Sequence, residues 1–92
     1  MKVALDVNVS NYVIGQIARL GDEIVCVAQS SESDHDWVGR AVDKGAEVIV
    51  SQDLDVPNLL DKWRVEGVLW FEKVEKYLEY RKKRRTKNGA KN

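Results

Sequence analysis

The chain has 92 residues, 43% of them hydrophobic, which is the length of one domain with material for one core. A single cysteine, Cys26, and a single histidine, His35, exclude an internal disulfide and a standard zinc cluster, so any bound metal is expected to sit on oxygen, as magnesium or manganese does. The net charge is zero, yet residues 1–80 hold all 15 acids with 8 bases (a balance of −7), while residues 81–92 hold the other 7 bases and no acid.

Lys2-Val3-Ala4-Leu5-Asp6 is a short apolar run closed by an acid and reads as a buried central strand. Asn8 or Ser10 can cap a helix in which Tyr12, Val13, Ile17 and Leu20 recur at helical spacing, and Gly21 stops it. Glu23 to Ala28 is a second strand, β-branched and short. After a polar loop, Ser33 or Asp34 can cap a helix with Trp37, Val38, Ala41 and Val42 on its apolar side, ended by Lys44-Gly45. Glu47 to Val50 is the third strand, followed by an acidic loop from Ser51 to Asp55. Pro57 suits the first turn of a short helix ending near Lys62. Gly67 to Trp70 is a fourth strand, and from Phe71 a helix turns Phe71, Val74, Tyr77 and Leu78 inward. The expected organisation is a domain over residues 1–80 and a basic, unstructured tail over 81–92.

Alternating strands and helices imply an α/β fold: three layers, α/β/α, around a mainly parallel four-stranded sheet. Such sheets collect their C-terminal strand ends along one edge, where ligands bind. That places Asp6, at the end of the first strand, near Asp53 and Asp55, just past the third. Converging carboxylates repel one another, and a divalent cation removes that penalty while activating water and stabilising charge on a phosphate. Asp6, Asp34 and Asp53 are the candidate metal ligands. Asp55 and Asp36 are supporting acids, and Asn8 can orient a water or a phosphate oxygen. Asp34 also reads as a plain helix cap, and Asp36 as a first-turn acid favoured by the helix dipole. His35 reads as an exposed loop residue, Cys26 as core, and Trp37, Trp63 and Trp70 as packing residues.

Arg81, Lys82, Lys83, Arg84 and Arg85 form a dense cationic run whose natural partner is a nucleic-acid phosphate backbone, bound without sequence preference. The run lacks interleaved aromatics, so base stacking by the tail is not expected. A homodimer is compatible with the small core, since folding at this size buries only roughly 60–65% of the unfolded surface. No stretch approaches the roughly 20 apolar residues of a membrane span, and the start lacks a signal-peptide run; the expected compartment is the cytoplasm. A phospho-acceptor receiver domain would need an acid pair after the first strand, where Asp6 stands without an acidic neighbour, and no GxxxxGK[ST] phosphate loop is present.

Three segments carry a family resemblance. Val3-Ala4-Leu5-Asp6-Val7-Asn8 resembles the strand-ending "LDxN" opening of the PIN-like domains, small proteins related to toxin-type ribonucleases. Ser33-Asp34-His35-Asp36-Trp37-Val38 resembles their "SD-acid-acid-I-L" helix start, and Val48-Ile49-Val50-Ser51-Gln52-Asp53-Leu54-Asp55 their "VLVT-x-D-x-D" strand end. Order and spacing agree over residues 2–56, although Val56-Pro57 stands where the family usually has Phe. The resemblance implies a PIN-like fold, magnesium or manganese, and hydrolysis of RNA phosphodiesters by a metal-activated water. It picks out Asp6, Asp34, Asp53 and Asp55 as catalytic acids, with a protein antitoxin as a partner that toxins of this type have. It equally admits an inactive module of the same fold that binds nucleic acid or a protein.

Overall fold

The computed structural model of the chain describes residues 1–6 and 9–90, with side chains through Lys83. Strands and helices alternate: β1 (Lys2–Leu5), α1 (Asn11–Arg19), β2 (Glu23–Val27), α2 (Asp34–Asp43), β3 (Val48–Val50), α3 (Asp55–Lys62), β4 (Leu69–Phe71) and α4 (Val74–Ala90). All pairings are parallel, in the order β2-β1-β3-β4. The chain therefore has the α/β class read from its sequence. Among the described residues no helix is long and apolar enough to cross a membrane.

The two central strands are buried along their length, since helices cover both faces of the sheet. Their side chains alternate between two cores. Val3, Leu5, Val48 and Val50 point to the side covered by α1 and α4, where they meet Ile17 and Tyr77. Ala4 and Ile49 point to the side covered by α2 and α3, where Trp37, Val38, Val56 and Leu60 fill the space. That second core pairs one large ring, Trp37, with four alanines (Ala4, Ala28, Ala41, Ala46), so the volume the indole takes is given up by its neighbours. Each buried aliphatic side chain contributes about 1.5–3 kcal/mol.

Helix ends follow the local chemistry. The hydroxyls of Ser10 and Ser33 accept hydrogen bonds from the amides of Val13 (3.4 Å) and Asp36 (3.2 Å), capping α1 and α2. Gly21 and Gly45, at φ of 83° and 80°, turn the chain out of those helices. Three boundaries differ from expectation. Asp55 is the first residue of α3, not the end of a loop, because its amide is bonded by the Asp53 side chain. β4 starts at Leu69, because Gly67 takes a left-handed turn. α4 starts at Val74, because Phe71 is still paired with Val50.

The largest difference concerns α4. It runs to Ala90, where an unstructured tail was expected from Arg81 onward. Lysine, arginine and alanine favour helix, and Arg81 is fastened to the body. Its guanidinium grips the Asp22 carboxylate with two bonds of 2.8 Å, and the Tyr77 hydroxyl and the Met1 ammonium donate to the same group. The Asp22 side chain has no solvent exposure and that of Arg81 only 17%, so Arg81 holds α4 to the sheet and is not an open nucleic-acid contact. Burial alone would raise the Asp22 pKa, but the bonds from Arg81, the ammonium and Tyr77 outweigh it and hold the carboxyl below its ordinary value. Burial, then Asp22 itself, pushes the Tyr77 hydroxyl well above its ordinary range.

Removing one partner of such a pair leaves a buried charge unmatched. Asp22→Ala is expected to lose about 3–5 kcal/mol in urea unfolding at pH 7. Because the folded carboxyl titrates below its unfolded value, its contribution is complete above about pH 4 and is lost as pH falls through the folded value. The gap between wild type and variant should therefore narrow at acidic pH. A pH-independent loss of less than about 1 kcal/mol, the range of an exposed pair, would contradict this account.

Candidate acidic site at the sheet edge

Parallel pairing of β1 with β3 brings Asp6 and Ser51 side by side where the two strands end. The Asp6 amide bonds the Val50 carbonyl at 3.0 Å, and the Ser51 hydroxyl donates to the Asp6 carboxylate at 2.9 Å. The same hydroxyl oxygen accepts the Asp53 amide at 3.1 Å, and the Asp53 carboxylate accepts the Asp55 amide at 2.9 Å. This relay turns the chain from β3 into α3 and aims successive acids at one place. Trp70 closes it from below, its indole N–H donating to the Ser51 carbonyl at 3.0 Å.

Asp34 reaches the same place from the start of α2. Its carboxylate accepts the Trp37 indole N–H at 3.1 Å, which ties the acid to the largest fully buried side chain. One carboxylate oxygen from each of Asp34, Asp53 and Asp55 lies within 4.8 Å of the others. The carboxyls of Asp34 and Asp53 shift each other's titration in opposite directions. The bond to Asp53 raises the Asp34 pKa, as does burial, whereas Trp37 opposes the rise. The same bond, helped by the Asp55 amide, lowers that of Asp53.

The expected residues are distributed as follows. Asp34, Asp53 and Asp55 come together. Asp6 lies outside that group, next to Ser51, and faces a different cleft. Asp36 is exposed on α2, with His35 at 3.8 Å. His35 is also exposed, and its ring stands edge-on to Trp63 at 5.0 Å. Lys82 and Lys83 are exposed on α4. Asn8 and the side chains of Arg84 and Arg85 lie outside the described residues. Ser51 was not singled out from sequence; its signal was a hydroxyl at the first position past a buried strand. Beside the acids, between α2 and α3, is a shallow cleft of about 350 Å³ that also exposes Asn58 and Lys62.

Three converging carboxylates form a hard, all-oxygen group that could hold a divalent cation such as magnesium or manganese, with Lys62 lining the cleft beside them. No family model, curated protein or solved structure matches the chain.

The repulsion between Asp34 and Asp53 has a stability consequence. Because the folded Asp34 titrates above its unfolded value, its contribution is complete below the unfolded pKa of about 4 and is lost as pH rises through the folded value. Asp34→Asn keeps an acceptor for Trp37 and supplies a permanent donor to Asp53. It is expected to raise the melting temperature at pH 7 in metal-free buffer, with the two proteins converging toward pH 4. A variant less stable than wild type at pH 7 would contradict the raised titration of Asp34.

Proposed function

We propose that the chain is a divalent-metal-dependent nuclease, acting on RNA, whose ion is held by Asp34, Asp53 and Asp55. The observation that carries this reading is the convergence of three aspartates from two separate segments at the C-terminal edge of a parallel sheet, where ligands of this architecture bind. The resemblance of residues 2–56 to the PIN-like domains supports the choice of phosphodiester hydrolysis, and the basic residues that follow Tyr80 support the choice of an anionic polymer. When bound, the ion would supply a polarised water and a counter-charge for the phosphate.

The protein's own contributions are distinct. The Asp53 carboxylate is pre-set by the bond it accepts from the Asp55 amide at the start of α3, so little of its side-chain freedom remains to be lost on binding. Asp34, whose pKa is raised by Asp53 and by burial, would hold the ion as the carboxylate, so its binding would release any proton it carries. Ser51 fixes the loop and holds Asp6 beside it, a positioning role. Lys82 and Lys83 lie toward the other edge of the sheet: α4 passes its Asp22 anchor about 10 Å beyond its start, at a rise of about 1.5 Å per residue. They would hold a flanking stretch of a longer strand, not the reacting phosphate.

The test is cleavage of a labelled single-stranded RNA by folded protein with manganese, magnesium or chelator. Cleavage is expected only with metal. Asp53→Asn and Asp55→Asn should each lose at least about 100-fold, and Ser51→Ala, acting through its neighbours, about 10–100-fold. Cleavage that survives chelator, or an unaltered rate in both aspartate variants, sinks the proposal. Folded protein with neither cleavage nor cation affinity would make the aspartates caps for α2 and α3 and the chain a binding module.

A further inference from the structure

The strand order β2-β1-β3-β4 contains one switch point. From β1 the chain leaves through α1 toward β2; from β3 it leaves through α3 toward β4, on the opposite side. The connections diverge between the ends of β1 and β3, and a crevice opens there. A cleft occupies that crevice, between the first turns of α1 and α4, with a volume of about 500 Å³. That is within the size of small-ligand pockets, roughly 300–1,000 Å³. It lies on the α1/α4 side of the sheet, whereas the aspartate group lies on the α2/α3 side. Ser51 adjoins both: it lines the cleft and its hydroxyl takes the Asp53 amide.

The lining of the cleft states what it would accept. Val9, Val13 and Val74, all half-buried, make an aliphatic wall suited to a flat ring. Gln52 is exposed at the mouth and offers a donor and an acceptor side by side, the pairing that a base edge presents in complement. Asp6, Glu72 and Glu75 also line it against a single cation, Lys73, so the cleft disfavours an anion and favours an uncharged ring. We propose that this cleft binds a nucleobase, that of the nucleotide flanking the phosphate held at the aspartate group. The choice of a nucleobase among planar polar rings rests on the nuclease reading; the cleft, its position and its lining do not.

The experiment separates the two. Adenosine and uridine are titrated into the full-length ¹⁵N-labelled protein in chelator, so the cation site is silent, while manganese affinity is measured separately by calorimetry. The expected result is saturable shifts at the amides of Val9 to Val13, Gln52 and Val74. Gln52→Ala, an exposed change that leaves the fold intact, should weaken binding about tenfold, the worth of one good hydrogen-bonding group. Val13→Phe, which fills the cleft, should abolish the shifts while the spectrum stays dispersed. No saturable shift at millimolar nucleoside, equal affinity in both variants, or shifts confined to Asp34, Asn58 and Lys62 would overturn the proposal, whatever the manganese titration gives. Nucleoside binding without manganese affinity would retain the cleft and discard the cation site.

Discussion

The parallel pairing of β1 with β3 is the constraint on which the rest of this molecule depends. Val3, Ala4 and Leu5 lie beside Val48, Ile49 and Val50, each strand buried on both faces, so neither can slip by one residue without exchanging the contents of the two cores. Because the pairing is parallel, both strands deliver their polar successors to the same edge. Asp6 and Ser51 meet there across 45 residues of sequence, and Ser51 passes the constraint to Asp53 and then to Asp55. The aspartate group is the output of a hydrophobic register.

A second interaction does for α4 what the register does for the sheet. Asp22, at the turn between α1 and β2, is reached by Tyr77 and Arg81 from 55 and 59 residues away. It converts a helix with a weak apolar stripe into a fixed wall of the switch-point cleft. It also separates the charges of the chain. The acids that gather sit at one edge of the sheet, and the basic run begins beyond an anchor near the other. Intramolecular neutralisation of the aspartates by Arg81 is ruled out, since that guanidinium is already committed to Asp22.

Much of this could be read from the residues. Short apolar runs ending at Asp6, Ala28 and Val50, with Gly21 and Gly45 stopping the helices between them, fix the alternation of strands and helices. The alternation fixes the sheet as parallel and the edge as the site. The residues pointed to Asp6, Asp34 and Asp53 as ligands with Asp55 in support, whereas Asp34, Asp53 and Asp55 are the three that come together. Three features were out of reach because they depend on geometry finer than spacing. That Asp6 spends its carboxylate on Ser51 depends on which side chains face each other across β1 and β3. That Asp34 and Asp53 shift each other's titration depends on side-chain distances. That Arg81 belongs to the body depends on the buried Asp22, which in sequence is one acid among 15. Composition read the basic run as one unit, whereas its first member is structural.

The central claim is that Asp34, Asp53 and Asp55 hold a divalent cation together, with Asp6 outside the set. The most direct measurement is a crystal structure grown with manganese, with diffraction collected where manganese scatters anomalously. The account predicts one dominant anomalous peak at coordination distance from all three carboxylates, Asp6 still bonded to Ser51, and no peak in an Asp53→Asn crystal. A peak bridging Asp6 and Glu72, or no peak at the three aspartates in a crystal soaked at saturating manganese, would contradict it.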